Sequence, residues 1–278
     1  MAGSGKTSIA LHRIAFLLYK FKDTISSEDI LIISPNKVFA SYISNVLPEL
    51  GEESVAETSM EDIANQLFDY QINFQSFFDQ VSELLAKNHA RLIERIRFKS
   101  SAELLKKMDE YFLHLENHAF EAQDIFVAGK PVPGWFIEES FRKYTRMPLL
   151  KRFNEVVKDV VQNVFIYYKV EVTGKERTEL HKKVRKMFPS TNLRMLYKDF
   201  YKWLEKPELL KVKKGATYEY SDVYPLLYMK MKLEGLKPFS QVKHLVVDEM
   251  QDYSPCSTRY SRSFFPAKRP FWVISTNR

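Results

Sequence analysis

Met1-Ala2-Gly3-Ser4-Gly5-Lys6-Thr7 opens the chain, and this glycine-rich run, read together with the downstream run VKHLVVDEMQDYSP at Val242–Pro255, decides the fold. Glycines let successive backbone N–H groups curl around phosphate oxygens, a lysine at this spacing reaches the β and γ phosphates, and a threonine hydroxyl holds magnesium. Gly3, Ser4, Gly5, Lys6 and Thr7 are therefore the expected nucleotide-binding residues. The second run carries the complementary chemistry. Its β-branched start, Val242–Val247, reads as a buried strand ending in Asp248-Glu249. That places two carboxylates at the carboxyl end of a strand, where open α/β sheets hold their ligands. Asp248 is expected to join Thr7 around Mg²⁺, and Glu249 to orient and deprotonate the attacking water, the division of labour that phosphoryl transfer from ATP needs.

The loop is also short at its start. In the pattern GxxxxGK[ST], Gly5-Lys6-Thr7 fixes the register and puts the first glycine one position before Met1. A phosphate loop normally follows a buried strand, so the reading expects a domain whose first strand is missing. Working outward, Ser8–Phe21 is predicted to be helical, with Leu11, Ile14, Ala15 and Leu18 on one stripe and His12 and Arg13 off it. Nothing with metal-ligand spacing stands near His12, which reads as a helix-surface or phosphate-proximal histidine. Residues 29–34, Asp-Ile-Leu-Ile-Ile-Ser, form a predicted buried strand, and Pro35-Asn36 opens a second helix that Gly51 stops.

Three segments, AGSGKTSIALHRIAFLLY, ILIISPNKVFASYISNVLPELG and HLVVDEMQDYSP, resemble motifs I, Ia and II of the UvrD/Rep-like superfamily 1 helicases, and are most similar to the HelD (helicase IV-like) branch, some of whose members act on RNA polymerase. They cover about 55 of the 278 residues. The resemblance implies an α/β fold of P-loop NTPase type, a RecA-like parallel sheet interrupted by a mostly helical insertion domain. It implies ATP and Mg²⁺ as ligands, and single-stranded DNA or RNA polymerase as partners. It gives Gln251 a place against the γ-phosphate and the nucleophilic water, beside Glu249, and sets residues 34–37 near a nucleic-acid backbone. It also implies that arginines from a second RecA-like domain complete the catalytic site, so this chain alone is expected to turn over ATP negligibly. A different class, an interaction protein that binds RNA polymerase or another partner through the insertion without hydrolysis, is the alternative.

Composition fits a cytoplasmic protein: no run of 18 apolar residues suggests a membrane span, and no signal-peptide pattern opens the chain. A net charge of +7 would ordinarily point to nucleic acid, but Arg259, Arg262, Lys268, Arg269 and Arg278 supply +5 of it from the last 23 residues. The lone cysteine, Cys256, sits in that same tail.

Four segments are expected: residues 1–62 and 190–255 as the two parts of the ATP-binding domain, 63–189 as the helical insertion, and 256–278 as an out-of-frame tail. The insertion carries Phe74, Phe77, Phe78, Leu84, Leu85, Leu92 and Ile96, then Phe153, Val156, Val157, Val160, Val161, Val164 and Phe165 at helical spacing. It should hold fewer than three strands and pack apart from the sheet. The basic run Lys175–Lys186 reads equally as a phosphate contact or a solvated face. Residues 129–134, Gly-Lys-Pro-Val-Pro-Gly, read as a loop. Helices with Leu196, Phe200 and Leu204, and with Tyr224, Leu227 and Tyr228, are expected to cover the sheet. In the tail, Phe271-Trp272-Val273 yields Leu-Gly when the frame is shifted by one base, and FWVIS is apolar enough to fill the strand position beside Val242–Val247.

Overall fold

The computed structural model of the chain describes residues 6–34, 48, 51, 53–86, 90–235, 242–247 and 272–273. Helix α1 (Lys6–Lys20) is followed by a 3-10 turn at Ser27–Asp29, strand β1 (Ile30–Ile33), strand β2 (Ala56–Thr58), helix α2 (Met60–Leu67), strand β3 (Asn73–Phe74), and helices α3 (Phe77–Ala86), α4 (Ala90–Lys99) and α5 (Ala102–His118). Strands β4 (Ile125–Val127) and β5 (Lys130–Val132) come next, then helices α6 (Gly134–Lys143), α7 (Leu149–Tyr168), α8 (Gly174–Lys186) and α9 (Leu193–Trp203). Strands β6 (Val212–Lys213) and β7 (Thr217–Tyr218) lead through a 3-10 turn at Tyr220–Asp222 into helix α10 (Val223–Glu234), which precedes strands β8 (His244–Val247) and β9 (Trp272–Val273). The architecture is mixed α/β, with a small parallel sheet.

That sheet runs β2-β1-β8-β9, all neighbours parallel. All four residues of β1 are buried, as expected of a strand covered on both faces, and such strands read as continuous apolar runs. Helix α1 lays Ile14 and Leu18 against Ile30, Ile32, Val55 and Val246, with Ala15 and Ile25 beside them. These are members of the predicted stripe, and His12 is exposed, off it. Register is fixed by polar ties at the strand starts: the Lys243 N–H donates to the Asp29 carbonyl at 2.8 Å, and Lys243 Nζ reaches Asp29 Oδ2 at 2.8 Å and the Thr24 carbonyl at 3.0 Å. Lysine and its hydrogen bonds outweigh the slight burial of Asp29 and hold that carboxyl below its ordinary value.

Two compact units form. The first comprises Met1–Ala102, Lys211–Tyr224 and Lys237–Arg278, the second Glu103–Leu210 and Pro225–Leu236. The first unit adds to the parallel sheet a small one, β3-β7-β6, in which Phe74 packs against Phe68 and Tyr218 at centroid distances of 5.6 and 6.2 Å. In the second unit, α7 buries Leu149, Phe153, Val156, Val157, Val160 and Val164 on one face, which adds Leu149 to the predicted run and leaves Val161 half-buried and Phe165 outside it. Phe153 joins an aromatic group with Phe120, Phe141 and Phe188, the closest pair, Phe120 and Phe141, being stacked at 4.0 Å. Arg152 is buried beside it and satisfied by Glu116 Oε1 at 2.5 Å and the carbonyls of Thr145 and Met147.

Several expectations change. Residues 63–189 are mostly helical but hold three strands, β3, β4 and β5, each two or three residues long, so the expectation of fewer than three fails. Nor does that segment pack as one body, because α2, β3, α3 and α4 cluster with the parallel sheet. The unit borders fall at 102/103 and 210/211, whereas those drawn from sequence fall at 62/63 and 189/190. Helix α9 and the part of α10 after Tyr224 cluster in the second unit and not in the one that holds the sheet. Residues 129–134 are no open loop: Ala128 (φ 49°) and Gly129 (φ 72°) make a two-residue turn, Lys130–Val132 pairs with Ile125–Val127, and α6 starts at Gly134. Positive φ at both turn positions matches the strand twist, and the β5 proline is tolerable in a two-stranded ribbon with open edges. Phe78, Leu85 and Phe165 are exposed, not core. The basic run is helix α8, opened by a Thr173–Glu176 capping box, with Leu180 and Val184 its buried residues.

Candidate nucleotide site

Helix α1 is 15 residues long, has no acidic residue in its first turn and carries Lys20 in its last. With no acidic residue in the first turn, the positive end of the helix dipole meets no negative charge from α1 itself, an arrangement suited to an anion. The helix starts at Lys6, directly where the glycine-rich run ends. Its buried face is the one that packs on β1 and β8. Those strands pair Ile30 with His244 through Ile33 with Val247, so they finish level with each other. Beyond β1, the buried Ser34 donates its N–H to the Thr58 carbonyl at 3.1 Å, which brings the end of β2 to the same edge. Ser59 then caps α2, accepting from the Asp62 N–H at 3.0 Å.

No family model matches this chain, and no curated protein does.

Of the residues expected to form the site, Gly3, Ser4, Gly5, Asp248, Glu249 and Gln251 lie outside the described residues, as do the side chains of Lys6 and Thr7 and residues 35–37. What the described residues establish is the frame: a helix amino end following the glycines, and two parallel strands ending together, one of them directly before Asp248-Glu249. The tail contributes to this frame as expected of FWVIS, since Trp272 and Val273 pair in parallel with Val246 and Val247. Among the described residues no group of three or more His, Cys, Asp or Glu side chains could hold a metal ion. No described helix is long and apolar enough to cross a membrane.

Sequence reading missed a buried ionic cluster in the first unit. Arg95 and Lys99, four residues apart on α4, face Glu219 and Asp222 at the turn before α10. Arg95 Nε donates to both oxygens of Glu219 at 2.9 and 3.0 Å, and its Nη2 donates to Oε1 at 2.6 Å. Lys99 Nζ bridges Glu219 at 3.0 Å and the Asp222 carboxylate at 2.8 Å, and all three of these side chains are 0 % exposed. Burial alone would raise the Glu219 carboxyl, but the Arg95 hydrogen bonds and the Lys99 charge outweigh it and hold it below its ordinary value. Alongside, the Ser221 N–H donates to Gln80 Oε1 at 3.1 Å, fastening α3 to the same turn. The cluster is a structural tie between segments far apart in sequence. A signal existed: Leu92, Arg95, Ile96 and Lys99 share one helical face, and two cations on an otherwise apolar stripe call for buried acids.

Proposed function

We propose that this chain is the nucleotide-binding part of a cytoplasmic ATP-driven motor of the UvrD-like, HelD type, with a RecA-like sheet and a helical insertion. The observation that carries the reading is the arrangement of α1, β1 and β8. The helix after the glycine-rich run buries its stripe on the two strands whose ends precede Ser34 and Asp248, so a phosphate at the helix amino end and a magnesium at the strand end would be neighbours. In this reading Gly3, Ser4, Gly5 and Lys6 cradle the ATP phosphates and Thr7 and Asp248 hold Mg²⁺. Glu249 takes the proton of the attacking water and Gln251 senses the γ-phosphate. The motor acts on single-stranded DNA or on a nucleic-acid-bound RNA polymerase. Calorimetric titration with MgATP tests it: the parent chain binds and Lys6→Ala loses that binding. Equal affinity of parent and variant overturns the nucleotide site.

One observation favours the second reading, an interaction protein. Phe126 on the hairpin, Trp135 at the start of α6 and Tyr167 near the end of α7 are 65, 66 and 74 % exposed, aromatic surface that a partner could cover. Single-stranded DNA that speeds phosphate release supports the motor. Capture of RNA polymerase without any such stimulation supports the interaction protein.

A further inference from the structure

The last two turns of α5 carry His114 and His118, four residues apart and therefore on one face, while Tyr111 and Leu115 of the same helix are buried. Both imidazoles are exposed, and among the described residues neither takes part in a hydrogen bond, which leaves their nitrogens open. The ring centroids are 5.2 Å apart, with the planes inclined at 39°. A metal ion about 2.0–2.1 Å from one nitrogen of each ring would stand roughly 3.2 Å from each centroid, and a tetrahedral angle at the ion then separates the centroids by about 5.2 Å. The observed spacing thus suits a shared ion without rearrangement of the helix. His114 is held in place from behind: the Trp203 indole of α9 lies 5.9 Å from it, and that indole is itself packed on Tyr111 at 5.5 Å.

We propose that His114 and His118 form a two-imidazole site for a late first-row divalent metal ion, of the class of Cu²⁺, Ni²⁺ or Zn²⁺, which imidazole nitrogens favour. The pair opens into a groove of about 380 Å³ that is also lined by Glu121, Asp199 and Lys186. The two carboxylates favour a cation there; Lys186 opposes it, and Asp199 is shared with Lys202 at 2.9 Å. Because no third ligand side chain is within reach among the described residues, water completes the shell. The ion clips the last turn of α5, where the Ala119 N–H still donates to the Leu115 carbonyl at 3.1 Å, and so steadies the exit from the helix. This inference rests on the second unit alone and is independent of the nucleotide reading.

Titration of the purified chain with Cu²⁺, followed by the nitrogen couplings in its electron paramagnetic resonance spectrum and by quenching of Trp203 beside His114, tests the site. The parent binds one ion with imidazole coordination. His114→Gln and His118→Gln each weaken binding about tenfold or more, the scale on which even outer-shell partners of metal sites act. His181→Gln, on α8, leaves it unchanged. Both substituted positions are exposed, and circular dichroism checks that the helices are kept. In parallel, Zn²⁺ slows amide exchange over residues 114–118 in the parent and in neither variant. Parent-like binding by both variants, or no slowing in the parent, overturns the proposal.

Discussion

Replacing Lys99 with methionine removes a buried charge and its hydrogen bonds while keeping the length of the side chain. Lys99 is the bridge between Glu219 and Asp222, with no exposure of any of the three side chains. Taking one partner out of a buried ionic group costs about 3–5 kcal/mol, because the remaining charge stays in a poorly solvating place. Glu219 keeps the forked contact from Arg95, at 2.6–3.0 Å, so the loss falls near the lower end, about 3 kcal/mol. One factor of ten corresponds to about 1.36 kcal/mol, so local opening of α4 and of the Tyr220–Asp222 turn becomes roughly 100-fold more frequent. Amide hydrogen exchange read by mass spectrometry over residues 90–99 and 217–224 measures this directly. The double variant Lys99→Met with Asp222→Leu, which removes an acid as well as the base, should recover part of the protection, and the non-additivity gives the pair's coupling. If exchange in these peptides speeds up by less than about tenfold in the single variant, the cluster does not hold the two segments together and the reasoning fails.

The same carboxylates set a pH dependence. Glu219 is held below its ordinary value of 4.5, as are Glu83 beside Lys213 and, from 3.8, Asp29 beside Lys243. A lowered folded-state value means the stabilisation is complete above the unfolded value and disappears as pH falls through the folded one, so urea midpoints should stay flat from neutrality to about pH 5 and drop below it; a steady decline starting above pH 6 would contradict the assignment. In the second unit, Gly235 (φ +64°) would place an added Cβ 2.1 Å from Pro148 Cγ, whereas at Gly129 (φ +72°) nothing lies within 4 Å. Gly235→Ala should therefore cost about 2–4 kcal/mol, strain plus clash, against about 1 kcal/mol for Gly129→Ala; equal losses in thermal unfolding would show that the proline ring yields.

Local pattern carried much of this protein. The stripe of Ile14, Ala15 and Leu18, the run at Ile30–Ile33 and the spacing from Phe153 to Val164 each state their element and buried face, because apolar periodicity is a property of neighbouring residues. The pairing of a tail residue, Trp272, with Val246 was also foreseeable, since an apolar, β-branched run beside an open sheet edge has few other places to go. The proposed nucleotide site is argued from chemistry alone: Gly3–Thr7 and Asp248–Gln251 suggest phosphate and magnesium by residue type and order, and the described residues show only the helix that starts at Lys6 and the strands that end at Ile33 and Val247. Tertiary structure alone decided where the units divide. Helix breaks stand at both borders, at Ser100-Ser101 before α5 and at Pro207 after α9, but the chain has many such breaks, and which of them divide units depends on which distant segments touch. The same holds for the acids that Arg95 and Lys99 meet: the apolar stripe of α4 marks the two cations for burial, but Glu219 and Asp222 reach them only because the chain returns after more than a hundred residues. Charge is satisfied by proximity in space, and no window of sequence contains that distance.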